Sequence, residues 1–115
     1  MRKLTNSFLS AFQGLLTTWK EERNFRIEII ASIFVTVCVI YYEFSFVESV
    51  FCVIAITFVL CAEIINTAIE DLCNKIESNH DPMIGKIKDI SSAFVLVSAS
   101  GALIVGLLVF YNHFF

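Results

Sequence analysis

Glu63, Asn66 and Glu70 stand at i, i+3 and i+7, within and just past a stretch, residues 46–69, that is otherwise almost wholly apolar. On a helix that turns about 100° per residue, all three fall within roughly 60° of one another. Asn74 comes eleven residues after Glu63 and returns to within about 20° of the same face. A charged side chain at the bilayer centre costs about 2.5–3.5 kcal/mol on insertion scales. Two acids and an amide grouped at that cost point to chemistry rather than packing. Neighbouring carboxylates in a low-dielectric site bind Mg²⁺, often together with substrate phosphates. A lysine beside them neutralises phosphate oxygens, and a spare carboxylate takes a proton from a hydroxyl. These are the parts of phosphoryl transfer, where catalysis is mainly positioning and electrostatic stabilisation. They also suit a proton or cation relay. Taken alone, the residues leave two classes open: a phosphotransferase, and a proton-coupled carrier or membrane assembly subunit. Neither a Walker loop nor a Gly-rich kinase loop is present.

The elements that must position these groups follow from the hydropathy pattern. The chain has 115 residues, 57% of them hydrophobic, which means one domain at most. A mean hydropathy of +0.79 places it among all-α integral membrane proteins. Residues 4–22 carry Leu4, Phe8, Phe12, Leu15, Leu16 and Trp19 at helical spacing. They predict an amphipathic surface helix with Trp19 at the headgroup level. Three spans are expected, at about 27–43, at 46–76 including a polar extension, and at 91–111. Residues 43–48 read as a short turn. Residues 77–89 read as a polar loop, with Ser78, Asn79, His80, Asp81 and Pro82 as breakers. The polar interruptions near the N-terminus speak against a cleavable signal peptide.

All eight basic residues lie either before the first span (Arg2, Lys3, Lys20, Arg23, Arg26) or between the second and third (Lys75, Lys86, Lys88). The positive-inside rule then predicts a cytoplasmic N-terminus and an outer C-terminus. That topology gathers Glu21, Glu22, Arg26 and Glu28, the Glu63–Asn74 face, and Lys88 with Asp89 at one membrane edge. Within this set Glu21 reads as a solvated residue, and His113 at the far end as an interfacial one. Cys38, Cys52, Cys61 and Cys73 have no C-x-x-C spacing, so neither a disulfide nor a zinc site is expected. No nucleic-acid partner is expected.

The string Glu63-Ile64-Ile65-Asn66-Thr67-Ala68-Ile69-Glu70 closely resembles the E-x-x-N-[ST]-A-[IL]-E signature of the small bacterial membrane diacylglycerol and undecaprenol kinases. Glu21-Glu22-Arg23-Asn24-Phe25-Arg26 is similar to the charged block before that family's first span. Lys88-Asp89 followed by Ile-Ser-Ser-Ala is similar to the opening of its third. The resemblance covers nearly the whole chain. It implies a lipid kinase of the bacterial cytoplasmic membrane, a homotrimer with active sites shared between subunits at the cytoplasmic face. ATP would be the phosphoryl donor and Mg²⁺ the cofactor, with a membrane lipid alcohol as acceptor. By the same resemblance Glu63 is the general base, and Glu22 and Glu70 hold Mg²⁺. Ser10, Glu22, Asn66, Glu70, His80, Asp81, Lys88 and Asp89 face the nucleotide. Trp19, Asn24, Arg26, Glu28, Glu63 and Ser92 face the lipid. Two departures stand out: the family usually has Asp where this chain has Asn74, and Gly or Ala is common where it has Ser91 or Ser92. Asn24-Phe25-Arg26 and His80-x-Pro82 resemble the undecaprenol kinase branch, and Glu28 the diacylglycerol kinase branch. Undecaprenol is favoured, with diacylglycerol (and phosphatidic acid as product) the alternative.

Overall fold

The computed structural model describes residues 1–77 and 79–115. Ser78, read above as a breaker, lies outside the described residues. Four helices follow one another: α1 (Arg2–Glu21), α2 (Arg23–Tyr41), α3 (Phe46–Ile76) and α4 (Pro82–Phe114). Of these, α2, α3 and α4 are long and apolar enough to cross a membrane. The molecule is all-helical and multi-pass. Helix α1 leaves Phe8, Phe12 and Leu16 exposed along its apolar side. It packs by its other end, where Thr18 is buried and donates its hydroxyl to the Gly14 carbonyl at 2.9 Å.

The break between α1 and α2 is a single residue. Glu22 has extended backbone (φ −112°, ψ 111°), serving as C-cap of α1 and N-cap of α2. The turn after α2 is a Schellman closure, in which two late carbonyls are capped by the residues just past the helix. The Phe44 amide donates to the Val39 carbonyl at 3.0 Å and the Glu43 amide to Ile40 at 3.3 Å. Glu43 takes the left-handed position, φ 52°, usually given to glycine.

Helix α3 starts with a capping box. Glu48 N–H donates to Ser45 Oγ at 3.1 Å, and Ser45 N–H donates to Glu48 Oε1 at 2.8 Å. The same carboxylate reaches α4, meeting His113 Nδ1 at 3.0 Å and Asn112 Nδ2 at 3.1 Å. His113 also stacks on Phe44, ring centroids 4.2 Å apart. So His113 is built into a clasp that joins the start of α3 to the end of α4, rather than being a bare interfacial residue. Beneath the clasp, Phe44, Cys52 and Val109 form a small core with Val35, Val39, Val105 and Phe110. The four cysteines are free thiols.

The helix that carries the third span begins far earlier than the expected polar loop allows. Helix α4 starts at Pro82, capped by Asp81, whose Oδ1 accepts from the amides of Met83 (2.8 Å) and Ile84 (3.1 Å). Pro82 therefore opens the helix instead of breaking it, since proline fits the first helical position, where no intrahelical N–H bond is required. The connection shrinks to residues 77–81, and the expected polar loop 77–89 is mostly helix. This places Lys88 on a rigid element.

Candidate active site

The polar residues of α3 line up as expected and meet α1 and α4 at one end of the bundle. Glu63 is the largest fully buried side chain, 1% exposed, and its Oε1 has no hydrogen-bond partner. Thr67, also buried, returns its hydroxyl to the Glu63 carbonyl at 2.9 Å. One turn on from Glu63, Asn66 is held from both sides. Its Oδ1 accepts from Ser91 Oγ at 2.7 Å, which turns Nδ2 toward Glu70 Oε1 at 3.1 Å. Glu70 in turn lies close enough to the Glu22 carboxylate at the α1–α2 junction for the two charges to oppose each other. A row thus runs from α4 through α3 to that junction: Ser91, Asn66, Glu70, Glu22.

The electrostatics of the row are those of crowded anions. Burial, then the Glu70 carboxylate against it, pushes the Glu22 pKa up to about 7, and the charges of Glu63 and Asp71 add to the effect. Beside this pair stands a second. A hydrogen bond with Asp71, more than burial, holds Glu21 above its ordinary value. Glu21 is therefore part of the acidic cluster, although it remains exposed.

Two carboxylates facing each other supply hard oxygen donors and a negative field, which fits a hard divalent cation such as Mg²⁺. Among the described residues no three of His, Cys, Asp or Glu converge as a metal cage. Mg²⁺ takes one or two carboxylates and completes its shell with water and phosphate oxygens.

Across the 77–81 connection, Lys88 donates its ammonium to Asn74 Oδ1. The departure at Asn74 thus gives Lys88 a neutral partner. Lys88 also lines a polar cleft of about 310 Å³ with Glu77, Asn79, His80, Asp81 and Gly85. Asp81 is partly committed to capping α4. Asp89 is exposed on α4 and Ser92 likewise, whereas its neighbour Ser91 is buried.

On the α2 side, Glu28 is half-buried with Oε2 unpartnered. It closes one end of an apolar slot of about 460 Å³ between α2, α3 and α4, lined by Val35, Cys52, Val59, Ala102 and Gly106 among others. Asn24 and Trp19 are exposed near the junction. Arg26 does not point to open space. Its Nη1 donates to the carbonyls of Trp19 (2.7 Å) and Lys20 (3.2 Å). Ser10 stands apart, about 18 Å along the α1 axis from Glu22 at 1.5 Å per residue.

Sequence reasoning missed Ser91, Asp71 and the Asn74–Lys88 bond. Spacing puts Ser91 and Ser92 both within about 60° of Lys88, so helix periodicity could not choose between them.

The profile of the prokaryotic diacylglycerol kinase family matches residues 9–110. The chain belongs to that family. Undecaprenol kinase of Bacillus subtilis (strain 168) is 32% identical over 110 residues, covering 96% of this chain and 89% of that protein. Diacylglycerol kinase of Escherichia coli (strain K12) is 29% identical over 104 residues, covering 90% and 85%. The protein of the same description from Shigella flexneri matches to the same extent. The chain is thus an enzyme of a lipid-kinase family. In this kinase, the Glu63-to-Glu70 string that carried the resemblance is also the stretch around which the polar row is built.

Proposed function

We propose that the kinase transfers phosphate from ATP, with Mg²⁺, to a membrane lipid alcohol, undecaprenol in preference to diacylglycerol. The observation that carries this reading is Glu63: a fully buried carboxylate with a free oxygen, one turn after Val59 of the apolar slot and one turn before the Asn66–Glu70 row. An acyl or isoprenoid chain fits an apolar slot, and its hydroxyl would stop where the polar groups begin.

Glu63 takes the hydroxyl proton as the lipid oxygen attacks the γ-phosphorus. The bond from that phosphorus to the bridging oxygen breaks, ADP leaves, and Glu63 later releases its proton. Glu22 and Glu70 would hold Mg²⁺, which when bound neutralises phosphate charge. Asn66, Lys88 and Asp89 face the phosphates, and the cleft of His80 and Asp81 lies on the nucleotide side, with Ser10 further out. Trp19, Asn24, Glu28 and Ser92 lie on the lipid side. The basic residues at this end support a cytoplasmic location for the site in the bacterial inner membrane. The buried polar groups that one chain leaves without partners, Glu28 Oε2 and Ser98 Oγ among them, support the homotrimer. The preference for undecaprenol rests on Asn24-Phe25-Arg26 and His80-x-Pro82.

The test is phosphate transfer from Mg·ATP to undecaprenol and to diacylglycerol, side by side in mixed micelles. Glu63→Gln should lower the rate about 10²–10⁴-fold, the usual worth of a general base, while the protein still inserts and assembles. Retained activity in that variant sinks the base. Transfer to diacylglycerol alone reassigns the substrate. Transfer to neither lipid returns the proton-coupled carrier or assembly role to the front.

A further inference from the structure

We infer that Arg26 is a positioning residue for Glu22: its guanidinium ties the end of α1 to the start of α2 and so aims the Glu22 carboxylate at Glu70. The inference rests on the reading of Glu22 and Glu70 as the Mg²⁺ ligands. It gives Arg26 a different job from the lipid contact that family resemblance implies.

The junction is held by side-chain and backbone hydrogen bonds from both helices. A helix leaves its last four carbonyls without intrahelical partners. In α1, Arg26 Nη1 donates to two of the late ones, Trp19 at 2.7 Å and Lys20 at 3.2 Å. A cation at a helix C-terminus also meets the negative end of the helix dipole, and bonds from a charged donor are about twice as strong as neutral ones. The backbone of Glu22 is gripped at both ends as well. Its N–H donates to the Thr18 carbonyl at 2.9 Å, and its own carbonyl accepts from the Arg26 N–H at 3.3 Å. Thr18 is buried, so this side of the junction cannot shift freely.

Glu22 is the lone extended residue between two helices. Small changes in the angle between those helices would swing its side chain, and Arg26 Nη1 is a side-chain link that spans them. A cation held by carboxylates on two different elements feels that swing directly. A lipid headgroup would have to compete with two backbone carbonyls for Nη1. On this reading the metal site is set by a helix-capping device four residues from its ligand.

The experiment uses the full-length protein in detergent micelles, with Arg26→Met, Arg26→Lys and Glu22→Gln. Mn²⁺ binding is followed by electron paramagnetic resonance in the presence of the β,γ-imido analogue of ATP. Lipid KM and the apparent Mg²⁺ activation constant are measured alongside. Arg26→Met keeps an apolar stem and loses the donors. It should weaken Mn²⁺ binding and raise the Mg²⁺ constant about five- to tenfold, with lipid KM within twofold. Arg26→Lys keeps charge and a donor and should recover to within about threefold. A raised lipid KM with Mn²⁺ binding unchanged overturns the inference and makes Arg26 a lipid contact. If Arg26→Met does not assemble, Arg26→Gln is read by the same split. Glu22→Gln separates the two layers. If it leaves Mn²⁺ binding intact, the metal-site reading fails and the inference with it. If it weakens Mn²⁺ binding while the Arg26 variants do not, the inference alone fails.

Discussion

At the residue scale, the site is a set of acids held close together against their mutual repulsion. Glu22 shows this most clearly, its pKa pushed up to about 7 by burial and by Glu70. A carboxyl whose folded-state pKa is raised stabilises the fold below the unfolded value, about 4.3, and loses that contribution as pH rises through 7. A bound cation reverses the sign, because it needs the charged form. Without divalent cations, the protein should therefore melt higher at pH 6 than at pH 8. Added Mg²⁺ should raise the melting temperature more at pH 8 than at pH 6. Thermal unfolding in detergent at both pH values, with and without Mg²⁺, checks this; an equal Mg²⁺ effect at the two pH values would detach Glu22 from the metal. Ser91 gives a second prediction. Ser91→Ala leaves Asn66 Oδ1 buried without its donor, at a cost of about 1–3 kcal/mol, and frees the amide to turn away from Glu70. Stability should fall by that order and kcat with it, as read from thermal unfolding in detergent and from phosphate transfer; an unchanged melting temperature would mean that Asn66 finds another donor. The sequence announced Glu63, Asn66 and Glu70 because acids and an amide are conspicuous in an apolar run. Ser91 was silent because a serine is ordinary in a membrane helix, and only the packing of α4 on α3 decides which of two adjacent serines turns inward.

At the scale of elements, two short junctions set the geometry that three long helices merely carry. Hydropathy found the helices because lipid-facing residues must be apolar over a full bilayer width. It misplaced the start of α4 because an amphipathic, lysine-bearing extension has the composition of a loop. Asp81 and Pro82 together form a good helix opening, yet the same two residues also make a good turn. The hydrogen bonds to Met83 and Ile84 show which use is made of them. The Glu48 clasp was equally hidden, since its partners Asn112 and His113 lie at the other end of the chain. The closure after α2 carries a prediction of its own. Glu43 sits at φ 52° in a Schellman turn, a backbone conformation that costs a residue with a Cβ about 1–2 kcal/mol. Glu43→Gly removes that strain and adds some unfolded-state freedom. The net expectation is a gain of roughly 0.5–1 kcal/mol with activity unchanged, read from thermal or denaturant unfolding. Destabilisation instead would mean that the Glu43 side chain contributes more than the turn costs.

At the scale of the whole molecule, one chain is too thin to be self-sufficient. Its extents are 52 × 41 × 19 Å, so along the short axis it is about two helix diameters deep. Among the described residues the buried set is as polar as it is apolar, and Glu28 Oε2, Glu63 Oε1 and Ser98 Oγ are buried without partners. In a membrane such groups cost several kcal/mol each unless protein or water satisfies them. A second and third copy closing over α2, α3 and α4 would supply that cover, and native mass spectrometry from detergent should find trimers. Which acids then belong to one site is a separate question, and the fold argues for an answer. Glu22 lies in the electrostatic reach of Glu63 and Glu70 of its own chain, so the base and the metal ligands should come from a single protomer even where a neighbour completes the lipid or nucleotide side. Mixing inactive Glu63→Gln with inactive Glu22→Gln, unfolding and reassembling the two together, tests this directly. If each site draws both acids from one chain, every site in the mixture lacks one of them and activity stays at the level of the variants alone. If the two acids came from different chains of a closed ring, random assembly would rebuild about one site in four, and roughly a quarter of the wild-type activity would return. Recovery on that scale would place Glu22 opposite a neighbour's Glu63, and would make the α1–α2 junction a part of the subunit interface rather than of the protomer's own site.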